Sequence, residues 1–266
     1  MEKLKLAAAS IMPSSGEEKI TALMREAAED GASLILFPEC SLTGYEPDRA
    51  AELSIVPDDC ESAAKVRKTA DELGIAVCFG YMERSGDKLY ITQELYSDGK
   101  SVRYRKTHLG SHEKEVFSEG DSFTVADISV NGGSVRIGMQ LCWESHIPEI
   151  SGTYREKGAE VLLFPYASGM SGEKCRENWM VHLPARASDN GCFTAACNLF
   201  LKRGDEIKGG GAAVFDPKGR VIAEDFSSGE CIIYAEIGGP LPRELPDGDM
   251  HNISYFDRVR RELFKK

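Results

Sequence analysis

Residues 136–149 read RIGMQLCWESHIPE. An apolar run with the look of a strand closes on Cys142. Trp143 and Glu144 follow, and HIPE then opens a helix predicted over 147–157. A residue at such a changeover leaves the buried sheet and faces the rim of the fold. A thiol in that place needs an explanation that a core cysteine does not.

The same grammar runs outward in both directions. LKLAAAS (4–10), ASLILFPE (32–39) and AEVLLFPYA (159–167) read as buried strands. GEEKITALMREAAEDG (16–31) and CESAAKVRKTADEL (60–73) read as helices, closed by Gly31 and Gly74. IAVCFGYME, KLYITQELY and SVRYRKTHL follow as strands between 75 and 109, with SDGK as a hairpin turn between the last two. SFTVADIS and SVRIGMQLC pair around VNGG. A helix over 174–190 contains Pro184, which predicts a kink or a break there. Strands return in GCFTAACN, GGAAVFD, RVIAEDF and CIIYAEI, and a last helix is predicted around 254–264. No linker, low-complexity tract or fixed-period repeat interrupts the pattern. It predicts a single α/β domain over 1–266, its mixed sheets covered by helices.

Bulk properties narrow the function. The chain has 266 residues, 42% of them hydrophobic, enough for a sizeable core. With 32 basic against 43 acidic residues its net charge is −11, and no basic stripe appears, which argues against nucleic acid and anionic membrane surfaces as partners. No apolar stretch is long enough to span a bilayer, and the start MEKLKLAAASIM is too broken for a signal peptide. Eight cysteines occur without a C-x-x-C pair, so a zinc ribbon is not expected. Most sit in apolar runs as small hydrophobes, and free thiols fit a reducing, cytoplasmic setting.

Three polar residues stand at strand ends: Glu39 after LILFP, Lys106 after VRYR, and Cys142 after RIGMQL. A thiol attacks carbon as thiolate, a carboxylate can take its proton, and an ammonium steadies negative charge on sulfur and then on an oxyanion. Each also has a plain structural account: a turn cap, a solvated basic face, a core cysteine. Together they form a self-consistent acyl-transfer set. LILFPE and LLFPYA share a strand ending in Phe-Pro, which predicts that both deliver residues to one rim.

The segments LILFPECSLTGYEP, YRKTHL and GMQLCWESHIPE resemble the nitrilase superfamily of carbon–nitrogen hydrolases. The resemblance continues in the family's order through AEVLLFPYAS, LPARASDNGCFTAACN, GGGAAVFDPKGRVIAE, GECIIYAEI and ISYFDRVRREL, nearly the whole chain. It implies a four-layer α-β-β-α sandwich with two mixed β-sheets, usually paired as a homodimer or larger homo-oligomer. It implies Glu39 as general base, Lys106 as oxyanion stabiliser and Cys142 as nucleophile, with neither cofactor nor metal. A second glutamate often precedes an F-x-x-G-D element, here FSEGD at 117–121; Glu113 and Glu115 are the candidates, and Glu113 is preferred by likeness to carbamoylase-type members.

The branch is less plain. CWES is similar to the signature of true nitrilases, whereas YRKTHL is similar to amidases and carbamoylases. An amide or N-carbamoyl amine is the favoured small-molecule substrate. Trp143, Glu144 and Tyr166 are candidate substrate contacts beside the motif strands, with Tyr45 and Ser168 near them; Asn198 is expected to fix a loop. Two other accounts stay open. One is a Cys–His hydrolase using His108, His146 or His182. The other is a catalytically silent binding protein on the same fold. An active Cys142 is expected to alkylate at near-neutral pH faster than the other seven cysteines.

Overall fold

A computed structural model describes residues 1–13, 16–203, 206–227, 229–242 and 260–263. In chain order the elements are β1 (Leu4–Ser10), α1 (Gly16–Glu29), β2 (Leu34–Leu36), α2 (Ala50–Leu53), α3 (Glu61–Leu73), β3 (Ala76–Ser85), β4 (Lys88–Ser97) and β5 (Lys100–Arg105). The second half follows as β6 (Val125–Val130), β7 (Gly133–Met139), α4 (Pro148–Glu156), β8 (Val161–Tyr166), α5 (Gly172–Asn190), β9 (Phe193–Asn198), β10 (Phe200–Arg203), β11 (Glu206–Gly209), β12 (Ala212–Phe215), β13 (Val221–Asp225) and β14 (Cys231–Ile237).

Two six-stranded sheets form, ordered β14-β1-β2-β3-β4-β5 and β13-β12-β9-β8-β7-β6. In the first, β1, β2 and β3 run parallel and the outer pairings are antiparallel. Read from β6, the second sheet repeats that sequence of pairings, with β7, β8 and β9 as its parallel strands. The layers are visible in the alternation of β1. Leu4, Leu6 and Ala8 enter the core shared with the second sheet, while Ala7 and Ala9 pack with Ile20, Met24 and Ala27 of α1 and Ala63, Val66 and Ala70 of α3. Trp179, Leu183 and Ala187 of α5, with Ile150 and Tyr154 of α4, belong to the core that includes the second sheet. The result is the expected α-β-β-α sandwich.

The hairpins fold as their sequences require. Asp98 and Gly99, and Asn131 and Gly132, take positive φ at both central positions, the two-residue turn that matches strand twist. Gly74 closes α3 in the left-handed conformation.

The structure departs from the sequence reading at two places. Helix α5 continues through Pro184 without a break, because buried residues on both sides of the proline, Trp179, His182 and Leu183 before it and Arg186 and Ala187 after it, hold it in place by packing. Strands β10 and β11 form a two-stranded hairpin where the sequence suggested none. The helix expected around 254–264 falls mostly outside the described residues; within it, Arg261–Leu263 form one 3₁₀ turn.

Candidate active site

Glu39 follows β2 in a turn laid along β3. Phe37 N donates to Cys78 O at 2.7 Å, Leu42 N to Gly80 O at 2.9 Å, and Gly80 N to Ser41 Oγ at 3.1 Å. This close approach needs the glycine: a Cβ on Gly80 would stand 2.5 Å from Cys40 N and against Gln93 Oε1. Lys106 leaves β5 beside β4, its N donating to Ile91 O at 2.8 Å. The FSEGD segment packs back on it, with Gly120 N donating to Lys106 O at 2.8 Å. Cys142 opens a 3₁₀ turn, Cys142–His146, directly after β7, and has a positive φ of 46°.

These three strand ends converge. Lys106 Nζ donates to Glu39 Oε1 at 2.9 Å and to Glu113 Oε1 at 2.8 Å, and both Lys106 and Glu39 are 1% exposed. Glu113 is itself held: Tyr45 O–H donates to its Oε1 at 3.0 Å and Gly110 N to its Oε2 at 2.6 Å. Glu115 is exposed, so of the two candidates only Glu113 lies against the lysine. Glu39 Oε2 is buried and has no hydrogen-bond partner among the described residues.

Charge follows from this packing. Burial is the main force on Glu39; it outweighs the pull of Lys106 and, with the repulsion of Glu113, raises the carboxyl from 4.5 to about 7. Burial alone would lower Lys106, but Glu39, Cys142 and Glu113 hold the ammonium well above its usual value. The Cys142 thiol is pushed up to about 12, chiefly by burial and then by Glu39, against the pull of Lys106 and a backbone hydrogen bond from Ala167. The resting sulfur is therefore a neutral thiol beside a carboxylate that titrates near neutrality. Ala167 closes the β8 segment, so LLFPYA does reach the rim where LILFPE ends.

The other sequence candidates are placed differently. Trp143 is 49% exposed and tilts against His146 with ring centroids 5.5 Å apart, so it is not a core aromatic. Tyr166 is buried; its ring packs on Trp179 at 4.7 Å and its hydroxyl lies 3.2 Å from His182 Nε2, which also faces Ser145 Oγ at 3.0 Å. Glu144 is wholly enclosed and takes hydrogen bonds from five protein donors. Neither Tyr166 nor Glu144 presents a free polar atom to a substrate in this arrangement. Asn198 does fix a loop, accepting from Ser168 N at 2.8 Å and donating to Ser168 O at 3.1 Å and Met170 O at 3.3 Å. Gln140 is a residue the sequence reading missed. Its Nε2 donates to Glu144 O at 2.5 Å and Ser151 Oγ donates to its Oε1 at 2.7 Å, which ties the Cys142 turn to α4. The signal was an amide side chain placed directly after the apolar run IGM and before Leu141.

Among the described residues no histidine ring hydrogen-bonds Cys142, and burial lowers His182 to about 4, leaving it neutral in its Ser145–Tyr166 niche. No three His, Cys, Asp or Glu side chains among the described residues group as a metal would require. No helix among them is long and apolar enough to cross a membrane.

A carbon-nitrogen hydrolase family model matches residues 11–243. The chain belongs to the carbon-nitrogen hydrolase family. This hydrolase is 28% identical to an aliphatic nitrilase of Sinorhizobium fredii, across 93% of this chain and 88% of that protein. It is 29% identical to an omega-amidase of Bos taurus, across 91% of this chain and 88% of that one. Its fold matches an amidase from Nesterenkonia sp. with a TM-score of 0.79 at 26% identity, covering 98% of the hydrolase and 95% of the amidase chain. The nitrilase-superfamily membership and sandwich fold expected from the motifs are thereby established.

Proposed function

We propose that the protein hydrolyses the C–N bond of a small amide, or of an N-carbamoyl amine, through a thioester on Cys142. The observation that carries this reading is the unpartnered, buried Oε2 of Glu39, on a carboxyl that titrates near 7. A base with a free oxygen and such a value suits proton transfer at neutral pH.

Glu39 takes the proton from Cys142 Sγ as the sulfur bonds to the carbonyl carbon. A thiol held at about 12 does not ionise beforehand, so proton transfer and attack proceed together. The carbonyl electron pair moves to oxygen, where Lys106 and the backbone N–H of Trp143 receive it. Collapse breaks the C–N bond; ammonia or an amine leaves with the proton from Glu39. Water, deprotonated by Glu39, then attacks the thioester, releases the acid and returns the proton to sulfur. Glu113 holds Lys106 in place throughout.

The omega-amidase among the relatives and the amidase among the structures favour the amide. The nitrile is the second reading, favoured by CWES and by the aliphatic nitrilase at similar identity. We take the functional unit to be a homodimer on the resemblance alone, and its setting to be cytoplasmic on the free thiols; Val181 of α5, 80% exposed, is an apolar side chain that such an interface would cover.

The test is intact-protein mass spectrometry with amides, N-carbamoyl amines and nitriles, run on wild type and Cys142→Ala, with ammonia assayed in parallel. An acyl or carbamoyl adduct absent from Cys142→Ala, together with ammonia, establishes the reading and its substrate class. No adduct and no ammonia from any class sinks it.

A further inference from the structure

Glu144 is the buried carboxylate that the proposed chemistry leaves unused. On one side Thr107 N and Thr107 Oγ1 donate to its Oε1 at 2.8 and 2.7 Å, and His108 N at 3.0 Å. On the other, Leu141 N donates to its Oε2 at 2.8 Å. Tyr104 O–H lies within reach of both oxygens, at 2.8 and 2.9 Å. A carboxylate offers about four lone-pair positions, so these donors use its whole capacity.

The identity of the donors matters more than their number. Leu141 immediately precedes Cys142, and Thr107 immediately follows Lys106. One side chain thus ties the amide beside the nucleophile to the amide beside the ammonium, across two sheets: Tyr104 and the lysine segment belong to the first, the Cys142 turn to the second. Every group hydrogen-bonded to its carboxyl oxygens donates to them. A glutamine would press an NH₂ against one of these donors.

We propose that Glu144 is a positioning residue, which fixes the Cys142 turn against the Lys106 segment and so sets the sulfur-to-ammonium separation needed for C–S bond formation. The kinetic half of this rests on the function proposed above; the geometric half does not.

The test uses Glu144→Gln and the milder Tyr104→Phe, which leaves the other donors in place. Turnover is measured beside the iodoacetamide labelling rate of every cysteine by peptide mass spectrometry. For Glu144→Gln we expect kcat to fall about 10²-fold with KM within about threefold, as for a misplaced reacting group. Cys142 labelling falls about tenfold as the ammonium loses its hold on the forming thiolate. The buried Cys40, Cys78, Cys175, Cys192 and Cys197 stay unlabelled. Tyr104→Phe shows the same changes at smaller size, and decides the matter if Glu144→Gln does not fold. Wild-type kcat, Cys142 labelling that is unchanged or faster, or a uniform rise across the buried cysteines each overturns the proposal, the last by showing a role in stability alone. If wild type itself turns over no substrate, the proposed function fails while the labelling arm still tests Glu144.

Discussion

Glu39 and Glu113 grip the same nitrogen, Lys106 Nζ, at 2.9 and 2.8 Å, yet only Glu39 keeps a free oxygen. The two carboxylates are thereby separated in role. Tyr45 and Gly110 occupy Glu113, while Lys106 leaves Glu39 Oε2 without a hydrogen-bond partner among the described residues.

Among the described residues the ammonium is the only cation between these two acids, so its removal has a structural cost beyond catalysis. Lys106→Met is expected to abolish turnover, by at least about 10³-fold, and to destabilise the fold by about 3–5 kcal/mol through two adjacent buried carboxylates. Thermal melts and ammonia release measure the two effects. A melt unchanged at neutral pH would show that the acids are not paired as described.

In the proposed mechanism turnover requires Glu39 ionised, so kcat/KM should fall as pH drops through about 7. Stability runs the other way. The folded carboxyl titrates at about 7 against an ordinary 4.5, so between those values the folded state keeps a proton the unfolded chain has lost. The contribution of Glu39 to stability is complete below 4.5 and declines as pH rises through about 7. Glu39→Gln should flatten that decline in melting temperature. A parallel decline in wild type and variant would remove Glu39 as its source.

Glu113→Gln should lower kcat by about 10²-fold, since an amide cannot replace the charge that holds Lys106. Glu115→Gln, at an exposed position, should leave it unchanged. Steady-state kinetics on the pair separates them; equal losses would show that burial is not what distinguishes these glutamates.

Rapid alkylation of Cys142, expected from sequence, now has a condition attached. The thiol lies at about 12, so its labelling near neutral pH depends on Glu39 as base. In Glu39→Gln the iodoacetamide rate at Cys142 should fall at least about tenfold while the half-buried Cys60 and Cys231 react as before. Undiminished labelling would mean that the sulfur ionises without Glu39.

The sandwich was legible because its strands carry plain signals. LILF and VLLF are continuous apolar runs, and the DG and NG pairs mark hairpins whose turns need positive φ. Glu39, Lys106 and Cys142 stood out as polar residues at strand ends. What was hidden depends on direction within irregular turns. Nothing in CWES tells that Trp143 faces solvent while Glu144 turns inward to backbone amides, since a 3₁₀ turn gives no period to read. Tyr166 looks like a pocket residue because it ends a motif strand, but its hydroxyl turns to a histidine on α5 that is remote in sequence. The β10–β11 hairpin, FLKR and EIKG, is short and polar, with too few alternations to declare itself.

Cys142, the nucleophile of the proposed mechanism, occupies a conformation its own side chain disfavours. At φ 46°, Cys142 lies in the left-handed region, which costs an L-residue about 1–2 kcal/mol and glycine almost nothing. Cys142→Gly would therefore silence the enzyme and relax its backbone in one step, and the dead protein should melt higher than the living one. For folding alone, glycine is the better residue there. Only turnover gives a lineage reason to keep the thiol, which makes position 142 the place where loss of function would come with a gain in stability.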